Sequence, residues 1–205
     1  MMNFRGFEIM LFVITSTELC TDNFLGRIEE IAMSHPDRII LREKQMTERQ
    51  YRTYAYDCQA ICRLYDVPFS VHGFIDIARE IRSDLHLPLD ALREQPYLSK
   101  EFRTLGVSVH SSEEAAEAEQ LGASYVIAGH IFETDCKKGV PPRGLDFLQN
   151  VAYSVNIPVL AIGGITKEKL PYLYAKGASG VCVMSRFMQC DIADLPSEIF
   201  SFKNR

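Results

Sequence analysis

The sequence has no excess of basic residues, no long apolar run and no low-complexity stretch. Lysine and arginine number 22 against 27 aspartates and glutamates, a net charge of −5. That balance excludes broad contact with nucleic acid or an anionic membrane, because phosphate-rich surfaces need a basic face. It leaves room for a small pocket that takes one phosphate. No apolar segment approaches the roughly 20 residues of a membrane-spanning helix; the longest, from Ile9 to Thr15, is strand-sized. The N-terminus, MMNFRGFEIMLFVITS, has no small-residue cleavage site and runs straight into periodic sequence. It reads as a first strand, not as a leader.

Cysteine offers no framework either. The six cysteines, Cys20, Cys58, Cys62, Cys136, Cys182 and Cys190, are scattered. Cys58 and Cys62 are four apart on a helix-like segment, the spacing of half a metal site, but no second pair follows. Packed thiols in a reducing cytoplasm are the favoured reading. With no linker, charge run or internal repeat, residues 1–205 read as one domain.

What is present is a regular alternation. Eight short apolar, β-branched runs stand at 9–16, 38–42, 68–72, 84–87, 106–110, 125–129, 158–162 and 180–184. AIGG and VCVMS are continuous apolar runs, the pattern of strands buried on both faces. Helix-like segments lie between the runs. Segment 21–34 has Asp22 near its start and an apolar face at Phe24, Ile28 and Ile31. Segment 47–65 starts Thr-Glu, and 111–122 opens on Ser111, Ser112, Glu113 and Glu114 and ends on Gly122. Segment 166–177 runs from a threonine to a glycine, whereas 88–100 is irregular and offers no strong helix. Strand alternating with helix implies parallel pairing through right-handed crossovers. Eight units predict a closed (β/α)8 TIM barrel, at the lower length limit of that fold.

Loops after the strands' C-terminal ends form the active site of such a barrel. Four of the five histidines, His72, His86, His110 and His130, fall at those ends; His35 does not. Gly163-Gly164, followed by Ile165-Thr166 and a helix, is a phosphate-cradle pattern, and Ser185 supplies a donor from the eighth strand's end. A tight strand-to-helix turn is the alternative for the two glycines. Arg42 and Lys44, two apart, share a face at a strand end. They suit a carboxylate or phosphate, or form a solvated pair. His130 follows Gly129 at the end of an apolar strand, where an imidazole serves as general acid or base or as a structural residue. The structural role is favoured for His72, His86 and His110. The four histidines come from four strands with no carboxylate spacing beside them, so no metal site is assigned.

With these motifs in view, the chain resembles the thiamine phosphate synthase superfamily, and within it the thiazole tautomerases of the TenI type. The carrying segments are LREK at 41–44, GVSVHSSEEAAEAEQLGASYV at 106–126, GHIFETDCKKGVPPRG at 129–144, IPVLAIGGIT at 157–166 and VCVMS at 181–185. The resemblance covers nearly the whole chain. Its synthases place an Asn-Asp pair at the third strand's end, where this chain has His72-Gly73. They follow the fourth strand with His-Leu-Gly-Gln-x-Asp, against His86-Leu87-Pro88-Leu89-Asp90-Ala91 here. Those aspartates hold a magnesium ion that carries a pyrophosphate leaving group. The synthases also have Gly-Pro where this chain has Gly129-His130, and that histidine is the tautomerase's acid/base residue.

The resemblance therefore implies a metal-independent thiazole tautomerase of thiamine biosynthesis in the cytoplasm, with no cofactor. Its substrate would be a dihydrothiazole carboxylate bearing an ethyl phosphate. His130 would shuttle the proton. Gly163, Gly164 and Ser185 would hold the phosphate, and Arg42 and Lys44 would face the carboxylate. Ser108 and His110 line the site by position, and Lys137 matches a phosphate-contacting lysine of the synthases. The alternative from the same superfamily is thiamine phosphate synthase itself, which would need magnesium. A non-catalytic regulatory barrel is a third reading, without DNA contact given the acidic charge. Tyr54, Tyr56 and Tyr65 on one helical segment are compatible with a homo-oligomeric interface or with core packing.

Overall fold

The computed structural model describes residues 9–203; the reading of residues 1–8 as part of a leaderless N-terminus falls outside them. The eight apolar runs form eight strands within two residues of the expected bounds: Met10–Ile14 (β1), Arg38–Leu41 (β2), Phe69–His72 (β3), Asp84–Pro88 (β4), Leu105–Val109 (β5), Tyr125–Gly129 (β6), Val159–Ile162 (β7) and Gly180–Val183 (β8). Each pairs in parallel with the next, and β8 pairs with β1, which closes the barrel. The predicted (β/α)8 architecture is the observed one. Among the described residues no helix is long and apolar enough to cross a membrane.

The crossover helices start where side chains satisfy the open backbone donors. Helix α1 (Phe24–Met33) is capped by Asn23, whose side chain accepts from the Gly26 N–H; Asp22 pairs with Arg27 instead. Helix α2 (Glu48–Leu64) begins on a reciprocal Thr47–Gln50 capping box. Helix α3 spans Ile75–Ile81. The irregular stretch after β4 holds no long helix, as expected, and contains two short ones, α4 (Leu89–Glu94) and α5 (Leu98–Glu101). Pro96 keeps them apart, since the residue before a proline is driven out of helical geometry; Gln95 has φ −136° and ψ 66°. Helix α6 (Ser112–Gln120) is capped by Ser111 as expected. Helix α7 spans Gly144–Ser154. The helix expected over 166–177 is broken into a 3-10 turn, Lys167–Lys169, and α8 (Leu170–Ala175). Pro171 has no N–H to bond back into that turn. Helices α9 (Ser185–Gln189) and α10 (Leu195–Lys203) complete the chain.

Strand alternation divides the core in two. Leu11, Val13, Ile39, Leu41 and Val71 face the helices, where Cys58 and Cys62 are fully buried among them. These two are packed thiols, and burial pushes Cys62 up to about 12. Phe12, Ile14, Ile40, Tyr125, Ile127, Leu160 and Cys182 fill the barrel interior. At its lower end Arg38 lies against the Phe12 and Tyr125 rings, 5.5 and 5.8 Å from their centroids, and pairs with Asp84 at 2.6 Å. Of the three tyrosines considered for an interface, Tyr54 packs on Phe24, while Tyr56 and Tyr65 bond to Glu80 and Glu29.

Gly106 makes the interior packing possible. A Cβ there would stand 2.1 Å from the Tyr125 ring, so only a bare Cα leaves room for that phenol. Gly106→Ala is expected to lower stability by about 1–3 kcal/mol, the usual cost of overpacking a filled core. A urea midpoint equal to wild type would show that the ring moves aside freely.

Candidate active site

The C-terminal ends of the strands surround a cavity of about 1190 Å³. Its wall includes every residue singled out from sequence: Arg42, Lys44, Ser108, His110, His130, Lys137, Gly163, Gly164 and Ser185. His72 and His86 line it as well.

His130 sits where β6 ends, and its backbone is clamped to the end of β7. The Ile131 N–H donates to the Ile162 carbonyl at 2.8 Å, and Phe132 N–H to Gly163 at 3.0 Å. The imidazole Nε2 lies 3.2 Å from the Val140 carbonyl. A carbonyl only accepts, so Nε2 carries the proton and the neutral ring's lone pair is on Nδ1. Gly163 (φ 101°) and Gly164 (φ 62°) both occupy the left-handed region that favours glycine. They are also pressed against the histidine's loop. A Cβ on Gly163 would fall 2.3 Å from that of His130, and one on Gly164 would fall 2.3 Å from the Glu133 carbonyl oxygen. The imidazole residue and the diglycine bend therefore share one wall.

Beyond the bend, Lys169 donates to the Gly164 carbonyl at 2.6 Å, with its ammonium 4.4 Å from the centre of the Phe132 ring. Sequence reasoning missed this residue; its signal was a lysine three positions after Thr166, hidden by the expectation of a continuous helix. Ser185 opens α9, and Arg186 beside it is engaged by Glu198 through two 2.6 Å hydrogen bonds. Both helices after these bends are short, so a helix dipole contributes little, and main-chain and hydroxyl donors carry any anion affinity here.

Across the cavity, the chain after β2 alternates. Arg42 and Lys44 line the cavity, and among the described residues neither makes an ion pair. Glu43 between them is buried and accepts from Thr15 Oγ1 (2.6 Å), Thr17 N–H (2.9 Å) and Thr17 Oγ1 (2.7 Å). That carboxylate is a second residue the sequence reading gave no role. The nearby Arg42 guanidinium, then burial and Lys137, push the Lys44 ammonium below its usual range. Lys137 itself stands on a 3-10 turn, Asp135–Lys137. His110 is tethered by its Nδ1 to the Gly129 carbonyl at 3.3 Å. His72 and His86 stack with ring centres 5.4 Å apart. Burial, followed by Arg42 and Lys44, holds His72 down at about 4, and burial holds His86 well below the usual histidine range.

The family model described as thiamine monophosphate synthase matches residues 11–187. The chain belongs to the thiamine monophosphate synthase family. It is 33% identical over 199 residues to a thiamine-phosphate synthase of Halalkalibacterium halodurans, covering 95% of this chain and 94% of that one. It is 30% identical to thiamine-phosphate synthase 2 of Streptococcus pneumoniae, over 94% and 93% of the two chains. Among solved structures, thiamine phosphate pyrophosphorylase from Pyrococcus furiosus superposes with a TM-score of 0.81 at 28% identity, over 96% of this chain and 94% of that one. These names favour the transferase branch of the family over the isomerase expected from the motifs.

The residues of this chain do not fit the magnesium ion of that branch. Magnesium takes hard oxygen ligands in near-octahedral geometry. By the resemblance of the motifs, Gly73 and Ala91 fall where the synthases carry aspartate. Asp90 points outward, with a side chain 83% exposed and paired with Arg93 at 2.6 Å. Among the described residues no group of three or more His, Cys, Asp and Glu is placed to hold a metal.

The neutral histidine pair makes stability pH-dependent. Unfolded histidines take up a proton near pH 6.5, whereas folded His72 does so at about 4. Between these values the unfolded chain binds more protons, so stability falls as pH drops from about 6.5 towards 4. The loss from His72 alone is expected to reach roughly 3 kcal/mol. His72→Gln should flatten that decline in urea midpoints. Parallel wild-type and variant profiles would show that His72 is not held neutral.

Proposed function

We propose that the chain is a metal-independent tautomerase acting on a carboxylated dihydrothiazole that carries an ethyl phosphate, an aromatising step of thiamine synthesis. The observation that carries this reading is the contact of His130 with the diglycine bend, on a cavity whose carboxylates, Glu133, Asp135, Asp191, Asp194 and Glu198, form no group placed to hold a metal among the described residues. The phosphate is held by main-chain donors at Gly163 and Gly164 and by the Ser185 hydroxyl. The substrate carboxylate faces Arg42 and Lys44, with Lys137 adding positive charge. Two anchors of unlike position fix the ring against the imidazole, which supplies much of the advantage of an enclosed reaction. His130 Nδ1 accepts a proton from one ring atom and the resulting imidazolium returns a proton to another. The double bonds shift, and no electrons leave the substrate.

The relatives' names support a second reading, thiamine phosphate synthase, which joins a pyrimidine pyrophosphate to thiazole phosphate and releases pyrophosphate. The retained cations Arg42 and Lys44 are compatible with it. Poor fit of the residues to magnesium counts against it.

His130→Ala is expected to slow conversion of the unstable thiazole tautomer by ~10²-fold or more, the usual contribution of a positioned acid/base group, while ligand binding persists. Conversion at the wild-type rate would remove His130 from the chemistry. Wild-type protein given both synthase substrates and magnesium should release no pyrophosphate above background; release at enzymatic turnover would decide for the transferase.

A further inference from the structure

A chain of polar side chains runs through the barrel interior and is unused by the proton transfer described above. It starts at Arg38, whose Nη1 lies 2.7 Å from Ser70 Oγ and 2.6 Å from Asp84 Oδ2. Ser70, fully buried on β3, is the hydroxyl beside the Tyr125 phenol, next to Arg38, whose guanidinium carbon stands 5.8 Å from the centre of the Tyr125 ring. The phenol oxygen is 3.2 Å from His86 Nδ1, and His86 Nε2 is 2.9 Å from Ser108 Oγ. Ser108 lines the cavity; Tyr125 and Arg38 do not.

The first member orders the rest. A guanidinium has donors and no acceptor, so Arg38 donates to the Ser70 oxygen. The phenol oxygen is then the neighbour left for the Ser70 hydrogen, and the Tyr125 hydroxyl has His86 Nδ1 as its partner in hydrogen-bond geometry. The Tyr125 phenol is kept protonated by burial, and its single hydrogen goes to His86 Nδ1. Burial also keeps His86 neutral, with one N–H. That proton is therefore on Nε2 and is donated to Ser108 Oγ. The Ser108 oxygen accepts from below, and its own hydrogen is turned to the cavity.

We infer that Arg38, Ser70, Tyr125 and His86 are positioning residues that fix Ser108 as a hydrogen-bond donor to the ligand, where it recognises the substrate carboxylate. The identity of that acceptor rests on the tautomerase reading; the direction of the chain does not. A residue reversed in polarity at this point would repel an acceptor, so the chain acts on specificity more than on rate.

Nitrogen-15 NMR of the imidazoles in the ligand-free full chain tests the direction. His86 is expected as the neutral Nε2–H tautomer; a proton on Nδ1, or a cationic ring at neutral pH, would overturn the inference. Binding tests the acceptor, with carboxythiazole phosphate and the same molecule lacking its carboxylate as probes. Ser108→Ala is expected to weaken the first by roughly tenfold to a hundredfold, the range for a hydrogen bond to a charged group, and to leave the second unchanged. Tyr125→Phe, remote from the ligand, should weaken the first probe alone, and the double variant should be no weaker than Ser108→Ala. Equal losses for both probes, or additive effects of the two substitutions, would overturn it. If wild-type protein bound neither probe, the proposed function would fall, and the tautomer measurement would still decide the direction.

Discussion

The site depends on a backbone contact: the loop leaving β6 lies directly on the bend leaving β7. The ladder between these strands continues past their ends through Ile131 to Ile162 and Phe132 to Gly163. That extension brings the two loops closer than side chains at 163 and 164 would allow. Glycine at both positions is thus required twice over, by the left-handed backbone and by the space. The consequence is positional. The imidazole stands beside the bend because main-chain bonds hold it there, and a site built on such bonds keeps its geometry better than one built on long side chains.

A second constraint is the alternation of side chains after β2. An Arg-Glu-Lys run would neutralise itself if all three side chains met. Here the Glu43 carboxylate is turned to Thr15 and Thr17, and the two cations are left facing the cavity. A protein with a net charge of −5 thereby maintains a local positive field. The crowding is visible in Lys44, whose ammonium is disfavoured by Arg42 and Lys137. On the proposed reading, an anion bound between these cations would relieve that repulsion.

The barrel was legible because buried parallel strands leave continuous apolar runs, and eight of them admit one closed arrangement. Helix ends were legible where a capping residue announced them, as at Thr47 and Ser111, and illegible where proline cut a pattern that otherwise looked continuous, as at Pro171. The site residues on strand ends could be placed because topology assigns all such ends to one rim. Lys169 and Glu43 could not: their roles come from a broken helix and from two threonines far away in sequence. The polar chain in the interior was equally hidden. Arg38, Ser70 and Tyr125 sit in runs that read as ordinary strand, and only the register Ser70↔Asp84 and Gly106↔Tyr125 brings them together.

That register also gives the barrel interior two unlike halves. Phe12, Ile14, Ile40, Leu160 and Cys182, from β7, β8, β1 and β2, fill one side with apolar volume. Ser70, His72, His86, Ser108 and Tyr125, from β3 to β6, bring hydrogen-bonding groups to the other, with Ile127 as its apolar member. Such groups add little stability over a packed apolar core, and the buried Arg38–Asp84 pair carries a desolvation cost that its attraction only partly offsets. Their value is directional. The diglycine bend and Ser185 follow β7 and β8 of the apolar half, Arg42 and Lys44 follow β2 at its border, and Ser108 lies on β5 of the polar half. On the reading proposed above, a ligand with two different anionic ends would meet two different sets of donors across one cavity.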